Sequence, residues 1–190
     1  MSKNIHFDSL VYCIQKLYLK KIIAYPTESM FGLGCNPDSK IAVENLLNLK
    51  KRTVDKGFIL VAAHFNQIKK YIDETQISVQ QKKNMLNHWP GPFTFLVPSS
   101  SSVPYWLTGK FNTIAVRISN HLSIIKLCTI FGKPIISTSA NFTNMSPCRT
   151  RESVLENFGK NFPLLHGDIG EEKNPSKIIN IINGKLIRYA

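Results

Sequence analysis

Two short runs in this chain carry side chains suited to holding a charged small molecule. They are Pro134-Ile135-Ile136-Ser137-Thr138-Ser139-Ala140-Asn141, and Lys50-Lys51-Arg52 with Lys56 close behind. The first begins as a buried strand over 134–137 and turns polar where that strand would leave the core. A strand end is a place where a sheet holds short hydrogen-bonding groups still beside an accessible loop. The plainer reading of the same residues is a hydroxyl-rich turn leading into a helix N-cap. The second run puts cations in a last helical turn, where they complement the helix dipole. Lys56 lies beyond that helix, however, and three cations entering the apolar Phe58-Ile59-Leu60-Val61 point to an anion nearby.

Two further stretches stand out. Tyr25 to Cys35, YPTESMFGLGC, reads as a strand exit followed by a glycine-bearing turn, although a plain strand-to-helix loop would look the same. Trp89-Pro90-Gly91-Pro92-Phe93-Thr94 reads as a rigid turn into a strand, with Trp89 as a core lid if packing is its only role. There is no G-x-x-x-x-G-K-[ST], and Gly32-Leu33-Gly34 lacks the third glycine of a dinucleotide fingerprint. No G-x-S-x-G elbow is present, and no spacing suggests a Ser-His-Asp set. An enzyme built from these parts would not work through a covalent serine or cysteine.

The elements that must position these groups follow from periodicity. Phe7, Leu10, Val11, Ile14, Leu17 and Tyr18 form a helical stripe, and Ile22 to Tyr25 a short strand ended by Pro26. Ser39 is placed to cap a helix reaching about Lys51, with Ala42, Val43, Leu46 and Leu47 inward. Phe58–Val61 is a continuous apolar strand, followed by helices near 65–72 and 78–88. Strands over 93–97 and 113–117 and helices over 123–131 and about 150–158 come next. The tail, 177–182 and 185–188, reads as a hairpin around Asn183-Gly184. Strands alternate with helices without a repeat or linker, which predicts a single α/β domain with a mixed sheet.

Composition bounds the partners. The 190 residues are 43% hydrophobic and 19% charged, an ordinary globular balance with enough chain for a proper core. Apolar runs are far shorter than a membrane span, and residues 1–20 lack a signal-peptide core, so a soluble cytoplasmic protein is expected. Lys and Arg number 24 against 12 Asp and Glu, a net charge of +12 that favours phosphate-bearing partners without naming one. The four cysteines form no C-x-x-C pair, and neither they nor the histidines have metal-ligand spacing, so no protein-held metal site is expected.

In combination and in order, YPTE-x-x-FGLGC, K-x-R with a following Lys, WPGP-x-T, AVR, STSAN, NPS and a near-terminal Arg give a specific match. The sequence resembles the YrdC/TsaC family in its single-domain bacterial form, from residue 7 to the C-terminus, with 1–6 as a short N-terminal segment. The resemblance implies a twisted mixed β-sheet flanked by helices, with a positively charged concave face. It also implies synthesis of threonylcarbamoyl-AMP and diphosphate from L-threonine, bicarbonate or CO2, and ATP with its Mg2+. By resemblance, Lys50, Arg52, Ser139 and Asn141 match the signature tetrad around the substrates, with Lys50 and Arg52 stabilising the transition state. Thr27 matches the threonine-binding position, and Lys56 and Arg117 positions near the phosphates. Ser137 and Thr138 are expected to line the same pocket, and Arg149, Ser176 and Arg188 to face the nucleotide. The implied product serves modification of adenosine 37 in tRNAs reading codons that begin with A. It would pass to a transferase complex of TsaD, TsaB and TsaE.

The match has departures: Lys56-Gly57-Phe58 replaces a Lys-Pro-Leu, the following strand lacks a histidine, and Asn180 stands where an Asp is usual. A different class of function, a non-catalytic RNA-binding or ribosome-assembly factor, would use the same basic face. It would need positive charge but not the K-x-R and S-x-N set. Carbamoyl-AMP chemistry in hydrogenase maturation belongs to longer relatives with zinc-finger cysteines, which this chain lacks.

Overall fold

Among the described residues, eight strands form a continuous mixed sheet: β1 (Ile23–Pro26), β2 (Phe31–Gly34), β3 (Ile59–Ala62), β4 (Phe93–Pro98), β5 (Thr113–Ile118), β6 (Ile135–Ser139), β7 (Lys177–Asn180) and β8 (Leu186–Arg188). The structure, a computed structural model, describes residues 7–188; the expected 1–6 segment and Tyr189-Ala190 lie outside the described residues. The spatial order is β1-β2-β6-β3-β5-β4-β7-β8. Pairs β3·β5 and β4·β7 are parallel and the others antiparallel, so the sheet is mixed as the sequence suggests. Helices α1 (Phe7–Tyr18), α2 (Lys40–Lys50), α3 (Phe65–Ile68), α4 (Val79–Asn87), α5 (Tyr105–Thr108), α6 (Leu122–Phe131) and α7 (Arg151–Phe158) flank it. None among the described residues is long and apolar enough to cross a membrane.

Side-chain alternation divides the core between the two faces of the sheet. Leu60, Ala62 and Ile136 pack in a large cluster with Ala42, Val43 and Leu46 of α2, together with Trp89 and Phe95. Val61 and Ile135, one residue out of phase, pack in a second cluster. There α1 gives Leu10, Cys13, Ile14 and Leu17, and α6 gives Ile124, Leu127, Cys128 and Phe131. The expected cap at Ser39 is formed, its hydroxyl accepting from the Ala42 N–H.

Several elements depart from the sequence reading. The expected helix over 65–72 is only α3 followed by a 3-10 turn, Lys69–Tyr71. The glycine-bearing stretch after Thr27 is not a turn: Phe31–Gly34 is β2, antiparallel to β1. Its glycines make room for a ring, because a Cβ on Gly34 would sit 2.8 Å from Tyr25 Cε1 and 2.6 Å from the Ile136 carbonyl. The strand expected over 134–137 runs through Ser139, because β2 pairs with it: Gly32 opposite Ser139 and Leu33 opposite Thr138. The three hydroxyls therefore belong to a sheet, and no helix begins until Arg151. The tail hairpin forms, but its strands are joined by residues 181–185 and not by a two-residue turn at Asn183-Gly184.

Candidate functional site

A cavity of about 720 Å³ opens on the sheet. Its floor is one row of registered residues, Ser137, Ile59, Ala115, Leu96 and Asn180, taken from β6, β3, β5, β4 and β7 in turn. Val61 is opposite Ile135 and Arg117, so the row lies on the face that α1 and α6 cover elsewhere. The part of that face they leave open is the cavity. On β5, alternate residues Thr113, Ala115 and Arg117 line it, while Ile114, Val116 and Ile118 are buried in the opposite core.

Four cations line this neutral floor: Arg52, Lys56, Arg117 and Arg188. Lys56 ends a 3-10 turn after α2, and Arg52 reaches the wall because of how α2 stops. Lys51 takes a left-handed conformation (φ 48°), its N–H bonds the Asn48 carbonyl, and the Arg52 N–H bonds that of Leu47. That Schellman reversal sends Lys50 and Arg52 in different directions. The Arg52 guanidinium donates to the Gly57 carbonyl at 2.6 Å and lies 4.8 Å from the Phe58 ring centroid. Arg188 donates to the Ser176 carbonyl at 2.8 Å and its hydroxyl at 3.1 Å, and Ser176 also contacts Thr94. Burial lowers the pKa of both arginines, with the nearby Arg117 charge adding to the effect at Arg188. The Nε atoms of Arg52 and Arg117 are buried without a hydrogen-bond partner among the described residues. Both guanidiniums thus keep donor capacity, which suits phosphate or carboxylate oxygens.

Lys50 is placed differently. It is 6% exposed and is not among the cavity-lining residues. Its ammonium donates to the carbonyls of Ser139 (2.6 Å) and Asn141 (2.8 Å) and to Asn141 Oδ1 (3.1 Å). An ammonium has three donors, and all three are used. Burial, and then the Arg52 charge, push its pKa down to about 8; the three oxygens oppose that shift by favouring the charged form. Ser139 Oγ donates to the same Asn141 Oδ1 at 2.7 Å, and Asn141 Nδ2 to the Met145 carbonyl at 2.6 Å. The structure thus brings Lys50, Ser139 and Asn141 into one knot behind the wall, with Ser137, Thr138 and Ser139 facing the cavity.

Thr27 lines the cavity too, and its hydroxyl closes a tight turn onto the Met30 carbonyl at 2.7 Å. Ser176 lines it from the other side. Arg149 does not: it is exposed and donates to the Lys173 carbonyl at 2.7 Å. Sequence reasoning missed the apolar part of the floor, the rim residues Phe111 and Ile187, and Glu28, which makes a buried ion pair with Arg117 at 3.2 Å. Glu28 sits in a motif that was legible, but only the fold puts it beside Arg117. WPGP is a support and not a lining. Trp89 stacks edge-on against Phe95, and the Gly91 N–H holds the Ile118 carbonyl at the end of β5.

The profile of Sua5_yciO_yrdC, described as "Telomere recombination", matches residues 15–190. The chain belongs to this family. Within the Sua5/YciO/YrdC family, the Threonylcarbamoyl-AMP synthase of Buchnera aphidicola subsp. Schizaphis graminum (strain Sg) is 68% identical over 189 residues, covering 100% of both chains. The Threonylcarbamoyl-AMP synthase of Escherichia coli O6:H1 is 45% identical over 188 residues, 99% of each. Of solved structures, P. abyssi Sua5 complexed with L-threonine superposes with a TM-score of 0.82 at 28% identity, over 90% of this chain and 50% of that one. E. coli YciO, at 21% identity, shares the fold with a TM-score of 0.83 over 97% of this chain and 89% of its own.

Proposed function

We propose that this chain is a threonylcarbamoyl-AMP synthase, making L-threonylcarbamoyladenylate and diphosphate from L-threonine, bicarbonate or CO2, and ATP. Full-length relatives bearing that name support it. The observation that carries it in the structure is one cavity with Thr27 and the β6 hydroxyls on one wall and four cations around a neutral floor. Among the described residues no Asp or Glu lines that cavity. Such a donor set suits a polyanion bound with a small amino acid, and it supplies no nucleophile of its own.

None is required. The threonine amine captures CO2 as a carbamate, and a carbamate oxygen forms a bond to the α-phosphorus of ATP as the bond to the bridging oxygen breaks. The electron pair leaves with diphosphate. Charge gathers on phosphate oxygens in that displacement, so Arg52, Lys56, Arg117 and Arg188 stabilise it by position. Thr27 binds threonine, the β6 hydroxyls and Ser176 order the substrates, and Lys50 and Asn141 hold the β6 end in shape. Mg2+ belongs to the substrate here. The lining fits a metal that arrives on the triphosphate, because no carboxylate among the described residues lines the cavity and that of Glu28, behind it, faces the Arg117 cation.

The product feeds threonylcarbamoylation of adenosine 37 by the separate TsaD, TsaB and TsaE complex, and the working compartment is the cytoplasm. The +12 charge exceeds what one nucleotide needs, so tRNA binds weakly through its phosphates. That binding falls by about 0.7–0.9 log units per log unit of salt for each phosphate contacted. A fluorescence-anisotropy salt titration checks this, and no binding at low salt ends that part of the reading. The main test is diphosphate release. It should require threonine and bicarbonate together, and equal turnover with every amino acid, or none with threonine, overturns the assignment.

A further inference from the structure

We propose that Glu28 is a positioning residue that holds the Arg117 guanidinium against the nucleotide phosphates; this rests on the synthase reading above. Arg117 and Ser119 are two residues apart at the end of β5, so their side chains point to the same side. Glu28 meets both. Its Oε2 lies 3.2 Å from Arg117 Nη1, and its Oε1 accepts from the Ser119 hydroxyl at 2.6 Å. The Glu28 and Arg117 side chains are each 8% exposed, yet Arg117 lines the cavity.

A buried ion pair is weak support for stability, because desolvating two charges offsets much of their attraction. Both backbones are in any case fixed by other means. Glu172 N–H bonds the Glu28 carbonyl and Gly170 N–H that of Thr27, while Gly91 N–H bonds Ile118 beside Arg117. The carboxylate therefore acts chiefly on where the guanidinium sits. Arg117 shares the cavity lining with Arg52, Lys56 and Arg188, all cations; burial and then the Arg117 charge lower the Arg188 pKa. Among the described residues Glu28 is the only carboxylate ion-paired to a cation of the cavity lining. Without its charge, Arg117 would lose its one counter-charge among the cations of the lining and its register with the phosphates.

The test compares the wild type with Glu28→Gln, Ser119→Ala, Arg117→Ala and the Glu28→Gln/Arg117→Ala double variant. ATP affinity is read by calorimetry, and kinetic constants from diphosphate release. Glu28→Gln keeps the side-chain size and an acceptor for Ser119, and should weaken ATP binding about 10-fold, the scale of one charge-assisted contact. The KM for threonine should stay near wild type, and the double variant should bind ATP no worse than Arg117→Ala. Ser119→Ala should lose ATP affinity less, in the same direction, and it carries the test if Glu28→Gln does not fold. A matching rise in the threonine KM would mean that Glu28 merely shapes the Thr27 turn, and overturns the proposal. Unchanged ATP affinity, or additive losses in the double variant, also overturns it. A wild type that binds ATP but releases no diphosphate removes the synthase reading and leaves the ATP comparison decisive. A wild type that does not bind ATP overturns both.

Discussion

Lys50→Met separates a residue that contacts substrate from one that holds the wall. The substitution keeps most of the stem and removes three donated bonds. Their loss is uneven. The Ser139 carbonyl still accepts from the Asn141 N–H, and Asn141 Oδ1 still accepts from Ser139 Oγ, so the Asn141 carbonyl loses most. One such acceptor costs about 1–3 kcal/mol, and relief from burying the ammonium offsets part of the remainder. A net loss of about 2 kcal/mol lowers the Tm by roughly 4–8 °C for a domain of this size. In activity, Lys50→Met should match Asn141→Ala, with KM values for ATP and threonine rising, and the double variant should be no worse than the weaker single. Coupling of that kind is what residues in one network show. Titration gives a second readout. With the folded pKa near 8, below the ordinary 10.5, the unfolded chain holds more protons between those values. The stability contribution of this group therefore rises as pH climbs from about 8 towards 10.5, while the anchoring ammonium is lost over the same range. Wild-type activity should fall above about pH 8 without a matching fall in Tm, and Lys50→Met should lack that limb. If Lys50→Met instead abolishes kcat with both KM values and the Tm unchanged, Lys50 touches the transition state and the reasoning from its saturated donors is wrong.

Two further substitutions probe the wall and the sheet. Arg52→Ala should lower turnover about 10²–10³-fold, as expected for a lost transition-state donor, at a stability cost of about 1 kcal/mol for its bond to Gly57. Turnover read beside a thermal melt decides this, and near-normal activity would make Arg52 only a helix-end cation. Gly34→Ala should cost about 1–3 kcal/mol by overpacking against Ile136 and Tyr25, and an unchanged denaturation midpoint would show that β2 can shift to admit a methyl.

The elements legible in the sequence were those whose own side chains carry the pattern. The stripe of α1, the apolar β3 and the Ser39 cap are local, so periodicity and capping chemistry are enough. β2 was not legible, because its two glycines lack the side chains that mark a strand. The missing bulk comes from Tyr25 across the pair, and no local pattern records that. The end of β6 is hidden in the sequence for a related reason: Thr138 and Ser139 stay extended because β2 lies alongside. Short α5 carries too few residues to show a period.

The site divides along the same line. Residue types were legible, since cations and short hydroxyls at strand and helix ends speak for an anionic substrate. Direction was not. Lys50 and Arg52 are two positions apart, and on a continuing helix they would point to different sides of one cylinder. Instead the left-handed Lys51 ends the helix between them, sending Lys50 under the β6 end and Arg52 over Phe58. The same turn thus fixes the wall with one cation and charges it with the other. A neutral floor beneath makes that arrangement effective, because a cation's field is stronger where little polarisable water screens it. The side chains of Ile59, Ala115 and Leu96 contribute no charge and no hydrogen bond, yet their register sets how far apart the β6 hydroxyls and the Arg188 hairpin stand. The geometry of the cavity is therefore a property of sheet pairing, and the motifs mark only the places where that pairing reaches it.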